Sequence, residues 1–171
     1  IGSQLNRLHY NGWAFHNNDY TYYDRNKTHN NLGYSHGFMG YGNGMEQYVQ
    51  KEWPQSDLEM MEGTVPMYID EQPFNVYYMT VSGHNGYSKN ANAMTKKNWD
   101  RVRDLPYSDE VKGYLAANME LEDALTYLVN ALEEKGIADD TVIVLGADHF
   151  PYGLDYNASL GNMPYLSELY G

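Results

Sequence analysis

The run from Ser108 to His149 constrains the fold more than any other part of this chain. It joins a long amphipathic stretch, a glycine stop and an apolar segment that ends in Asp-His. Val111, Leu115, Leu121, Leu125, Leu128 and Leu132 recur at roughly helical spacing and predict a helix over Ser108–Lys135 with one apolar stripe. Ser108 is suited to an N-cap, Asp109 and Glu110 complement the helix dipole in the first turn, and Gly136 is a natural stop. The sequence also allows a break near Gly113 or Asn118. Asp139-Asp140 then turn the chain into Thr141–Leu145, TVIVL, which reads as a buried strand. Gly146-Ala147 follow, and Asp148 and His149 stand side by side at the end.

Two further segments have strand character. Trp13-Ala14-Phe15 follows the Asn11-Gly12 turn signal and leads to His16. Phe74–Ser82, FNVYYMTVS, is nearly all β-formers between Pro73 and Gly83, and leads to His84. Tyr34–Tyr41 is a third, shorter candidate. Ile1–Tyr10 has helical spacing. Asn17–Asn31 reads as a surface loop or short helix, Gly44–Glu62 as loop plus a short helix, and Lys89–Pro106 as a polar surface excursion. Strands too apolar to face water, alternating with helices, imply an α/β domain: a mostly parallel sheet with helices on both faces, spanning residues 1–171. Right-handed crossovers would bring the C-terminal strand ends to one edge, where such sheets bind ligands. Three of those ends carry His16, His84 and Asp148-His149.

Composition narrows the chemistry. A net charge of −12 argues against binding nucleic acid, which needs a basic face. A local anion site built from one Arg and a few His remains compatible with it. With no cysteine, the chain holds no disulfide, thiolate metal site or Cys nucleophile. No segment approaches the roughly 20 apolar residues of a membrane span. Eighteen tyrosines suit half-buried aromatic packing, or a surface that binds sugars or lipid headgroups. There is no Gly-rich phosphate loop, no GxSxG elbow, and no Ser or Thr with a convincing base beside it.

Each candidate constellation has two readings. Asp148 and His149 are ligands for a divalent cation such as Mn²⁺ or Zn²⁺, or a pair that caps the turn before Pro151 and Gly153; two ligands alone do not hold a metal. His16 with Asn18, Tyr23 and Arg25 is an anion pocket, in which Arg supplies a planar fork, or a hydrated loop. His84, in Ser82-Gly83-His84-Asn85-Gly86, approaches a ligand closely or is a turn histidine. His9, His29 and His36 have no such setting.

Taken together, Gly12–Arg25 (GWAFHNNDYTYYDR), Tyr78–Tyr87 (YMTVSGHNGY) and Tyr114–Gly153, with its EKGIADDTVIVLGADH run, resemble the sulfatase-like phosphoglycerol transferases. This group includes lipoteichoic acid synthase and belongs to the alkaline phosphatase superfamily. The last segment is shared with sulfatases at large; the first tilts the resemblance toward phosphoglycerol transfer. The resemblance implies the C-terminal part of a catalytic domain, whose Thr nucleophile and acidic metal ligand lie upstream, so that this chain alone is expected to be inactive. It implies metal ligation by Asp148 and His149, with Mn²⁺ the expected ion, and phosphoglycerol contacts by His16, Asn18, Tyr23, Arg25 and His84, with His84 as the catalytic histidine. Tyr22, Tyr23 and Asp24 stand where the family often has Phe, Trp and Asn, which bears on the headgroup accepted. The implied substrate is a phosphoglycerol-bearing lipid or polymer, and the implied place is the extracytoplasmic face of a bacterial membrane, with any anchor outside this chain. A sulfatase proper and a non-catalytic, Tyr-rich glycan-binding domain are the alternatives. If the sheet is only part of a larger one, its open edge should also make the chain self-associate.

Overall fold

A computed structural model describes residues 1–149, 151–154 and 164–170. In chain order the main elements are α1 (Gly2–Asn6), β1 (Asn11–Asp19), α2 (Arg25–Thr28), β2 (Phe38–Tyr41) and α3 (Asp57–Thr64). Then come β3 (Phe74–Met79), α4 (Ala93–Asn98), α5 (Asp109–Glu134) and α6 (Pro164–Tyr170). Among the described residues the sheet has the order β2-β1-β3 and every pairing is parallel, so the C-terminal strand ends share one edge.

Alternation along β1 divides its side chains between two faces. Trp13 and Phe15 enter the main core with Val76 and Tyr78 of β3, their register partners, and with Met60, Met61, Val65 and Tyr68 beneath. Ala124, Leu128 and Leu132 of α5 close this core. Fully burying a side chain such as Phe15 or Met60 stabilises the fold by about 1.5–3 kcal/mol. On the opposite face Ala14 pairs with Phe38 and Tyr77, and the His29 ring packs on both aromatics, at 4.9 and 6.0 Å. Helices thus cover both faces of a mixed α/β fold, as the sequence implied.

The predicted helix over Ser108–Lys135 is α5, capped as expected by Ser108, whose Oγ accepts from the Val111 N–H at 3.3 Å. It is continuous through Gly113 and Asn118. Gly113 is there for contact: a Cβ on it would lie 1.9 Å from the Tyr87 carbonyl oxygen. The buried face also differs from the leucine stripe. Val111, Gly113, Ala116, Ala117, Glu120, Ala124, Leu128 and Leu132 are buried, whereas Leu121 and Leu125 are half-buried. Small residues let the first half of α5 approach its neighbours closely, Leu128 and Leu132 fill the core farther on, and Leu121 and Leu125 stay at the margin.

Two expectations need correction. Lys89–Pro106 is not a surface excursion: it forms α4 and buries Met94, Thr95, Asn98 and Val102. Its lysines and asparagines signalled exposure, yet Asn98 donates to the buried Glu120 and Thr95 Oγ1 to the Gly113 carbonyl. Nor is Thr141–Leu145 a buried strand. It joins no sheet among the described residues, and Val142 and Val144 are 87% and 85% exposed. Its composition signals a need for neighbouring strands. The sheet stops at β3, and nothing described pairs with this segment.

Candidate functional site: an arginine held by a neutral histidine

The site begins with a tight corner at the C-terminal end of β1. The Asp19 carboxylate accepts from both the N–H and the Oγ1 of Thr21, each at 2.7 Å, and these bonds hold its carboxyl below the usual range. Tyr23 and Asp24 follow with φ of 55° and 54°. Two successive non-glycine residues in the left-handed region cost about 1–3 kcal/mol each. The result is that Arg25, the first residue of α2, folds back over the sheet edge onto His16.

His16 is 2% exposed, and both of its ring nitrogens are engaged. Nδ1 lies 2.8 Å from the Met79 carbonyl oxygen and Nε2 lies 3.0 Å from Arg25 Nη1. A guanidinium can only donate and a carbonyl can only accept, so Nδ1 carries the proton and Nε2 is the acceptor. Burial pushes the imidazole down from 6.5 to about 4; the Met79 carbonyl opposes this and the charge of Arg25 adds to it. His16 is therefore neutral near pH 7. In this arrangement it offers no N–H to an anion, and it orients Arg25 instead.

Arg25 spends one donor on His16 and lies over the Tyr22 and Tyr23 rings, 5.4 and 5.5 Å from their centroids. Among the described residues no carboxylate pairs with it, although the chain has 23 acidic side chains. Its remaining N–H groups suit an anion bound in bidentate fashion. Asn18 accepts from the Asp19 N–H at 2.7 Å, which commits its carbonyl to the corner.

His84 lies beyond the end of β3, on the same edge by topology. Its exposed ring meets Trp53 edge-on at 4.8 Å. No hydrogen bond joins it to His16 or Arg25. Asp148 and His149 are exposed and face each other at 3.4 Å. They are tied to the same edge indirectly: a Cβ on Gly153 would lie 2.6 Å from Asn85 Cβ, so the chain four residues past His149 touches the residue after His84. One carboxylate and one imidazole do not fit a complete site for a divalent ion, which takes more protein donors. Among the described residues no group of three or more His, Asp or Glu could hold one.

The structure thus joins His16, Tyr23 and Arg25, sets His84 on their edge, and leaves Asp148-His149 as a separate pair. Sequence reasoning named Tyr22 as bearing on the headgroup but not its contact with Arg25, which it shares with Tyr23. It also missed His29, beside Arg25, whose imidazole is pushed down by burial and then by that charge. The stacking of His36 on Trp13, at 4.1 Å, is a packing contact that no motif signals.

A parallel α/β sheet binds its ligands outside the carboxyl ends of its strands, and that is the edge on which His16, Arg25 and His84 stand. Residues 1–168 match the Sulfatase family, and the chain belongs to that family, within the alkaline phosphatase superfamily. Enzymes of the family generally use a divalent metal. Neither a curated protein nor a solved structure matches the chain.

Proposed function

We propose that this chain forms the substrate-anion side of a metal-dependent phosphoglycerol transferase or phosphodiesterase, acting on phosphoglycerol-bearing lipids or polymers at the extracytoplasmic face of a bacterial membrane. The observation that carries this reading is Arg25: a guanidinium with no carboxylate partner among the described residues, fixed by a neutral histidine and walled by two tyrosines. Arg25 binds two oxygens of a phosphodiester. Tyr22 and Tyr23 flank the glycerol carbons. Their replacement of the family's Phe and Trp adds hydroxyl groups that suit a polyol. His16 keeps the fork in place without competing for the anion. His84, exposed beyond β3, is the group placed to exchange a proton with an alcohol oxygen. Asp148 and His149 enter as two ligands of a divalent cation, Mn²⁺ in this reading; among the described residues no third ligand joins them. No helix among the described residues is long and apolar enough to cross a membrane.

Calorimetric titration of the chain with glycerol 1-phosphate tests the reading. Arg25→Lys keeps the charge and loses the fork. The expected result is binding by the wild type and at least about tenfold weaker binding by the variant, a difference of about 1.4 kcal/mol. Equal affinities would sink it. Sulfate esters present a similar tetrahedral anion, and family membership favours a sulfatase as the second reading. Preference for a glycerol sulfate analogue in the same titration would select it.

A further inference from the structure

Asp57 has no part in the site as described so far, yet it is the most heavily bonded carboxylate near it. It opens α3 and is fully buried. Its Oδ1 accepts from Asn17 Nδ2 at 2.7 Å and from the Val81 N–H at 2.9 Å. Its Oδ2 accepts from the Ser82 N–H at 3.2 Å and also bonds the Ser82 hydroxyl. Burial pushes the carboxyl up, and the bonds from Ser82, Val81 and Asn17 act against it. Two backbone N–H groups and an amide can only donate, which suits a carboxylate at a helix N-terminus rather than a neutral acid.

The donors come from two places. Asn17 follows His16 on β1 and is itself fully buried; its Nδ2 also reaches the Gln55 carbonyl at 3.2 Å. Val81 and Ser82 follow β3 and begin the turn that carries His84, and the Val81 carbonyl accepts from the His84 N–H at 2.9 Å. One carboxylate thus spans the ends of two neighbouring strands. Removing it would leave buried donors on both sides without an acceptor, and each side would relax independently.

Resting on the anion-site reading above, we propose that Asp57 is the positioning residue of that site: it locks the strand end bearing His16 and Arg25 to the turn bearing His84. The lock sets the separation between the group that holds an anion and the group that exchanges a proton with it. Loosening it lowers anion affinity and changes the surroundings of His84, with no change in any group that touches the ligand.

The test uses the 171-residue chain, inorganic phosphate as the probe, and the imidazole NMR signals of His16 and His84. Asp57→Asn is expected to weaken phosphate binding about tenfold and to shift the His84 signals. Leu132→Val, in the core under the last turn of α5 and bonded to none of these groups, is expected to lower stability and leave both readouts unchanged. Phosphate affinity and His84 signals at wild-type values in Asp57→Asn would overturn the proposal. So would equal losses of affinity in Asp57→Asn and Leu132→Val, because general destabilisation would then explain both. If Asp57→Asn does not fold, Ser82→Ala removes one bond to the carboxylate and is expected to produce the same changes at about threefold; no change there overturns the lock. A ligand-free arm separates this idea from the reading it rests on. Ser82→Ala should shift the His16 signals in the wild-type background and not in Asp57→Asn, and equal shifts in both refute the lock. If Arg25→Ala binds phosphate as well as the wild type does, the anion-site reading fails, and the His16 signals still decide whether Asp57 couples the two strand ends.

Discussion

His16 shows how burial sets the role of a residue whose type suggests another. A histidine after a strand reads as a proton donor or an anion contact. The structure gives it a carbonyl on one nitrogen and a guanidinium on the other, which fixes it neutral with Nε2 as acceptor. The imidazole titrates near 6.5 in an unfolded chain and at about 4 in the folded one. Between those values the unfolded state binds the proton and the folded state does not, so stability rises with pH across that window. The contribution is fully present above 6.5 and is lost as pH falls toward 4, by about 3 kcal/mol. Urea midpoints of the wild type and His16→Gln, measured from pH 7.5 to 4, should show the wild type losing its excess stability in that interval. Parallel curves would remove His16 as the cause. The sequence made the candidates legible residue by residue, because strand ends followed by His or Arg are visible in one dimension. It could not show that Arg25 has no counter-ion among the described residues or that two left-handed residues bend it onto His16, since both depend on where the chain turns.

At the scale of elements, α5 does the most to hold the parts in register. Its cap, length and stop were legible from Ser108, the apolar period and Gly136. Its contact face was legible only in part: Val111, Leu128 and Leu132 of the apolar stripe are buried, but Gly113, Ala116, Ala117 and Ala124 are too, and their smallness signals nothing without a partner. Glu120 sits among them fully buried, accepting from Lys97 Nζ at 2.8 Å and Asn98 Nδ2 at 3.1 Å and bonding the Ser56 hydroxyl. It staples α4 and the cap of α3 to α5. Glu120→Gln keeps the shape and removes the charge. It should cost about 1–3 kcal/mol in chemical denaturation, the scale for a buried charge-assisted network; a loss under about 0.5 kcal/mol would show that the staple is not needed. Gly113→Ala tests the closeness of α5 to the turn that carries His84. Alanine gains about 1 kcal/mol of helix propensity. Its Cβ would, however, meet the Tyr87 carbonyl at 1.9 Å, and backbone has to shift to make room. Overpacking of this kind costs about 1–3 kcal/mol, so the net change should be a lower melting temperature together with moved His84 signals. A variant more stable than the wild type would mean that the contact gives way freely.

Across the whole molecule, Thr141–Leu145 is the apolar run that pairs with no strand among the described residues. Ile137 and Ala138 pack on the core that holds Phe74, at the start of β3, and Gly153 and Leu154 pack against Asn85 and Tyr87, beyond its end. The segment between these anchors therefore runs in the direction of β3, but no strand pairing joins the two among the described residues. Val142, Ile143, Val144 and Leu145 face water, where each forgoes about 1.5–3 kcal/mol that burial would give. An apolar segment with unpaired backbone groups is a template for another strand. A net charge of −12 opposes the approach of a second copy, and salt screens that repulsion. We therefore predict that the isolated chain self-associates through this segment, and that association strengthens as salt is raised from 0.05 to 0.5 M, roughly halving or more the screening length. Val144→Lys places a charge on the exposed run without touching the core or the Arg25 corner, and should restore the monomer while leaving glycerol 1-phosphate binding intact. Light scattering over a concentration series at both salt levels reads the outcome. A wild-type chain that stays monomeric at high concentration and high salt would show that the exposed run is tolerated as it stands, and association unchanged by Val144→Lys would place the contact elsewhere.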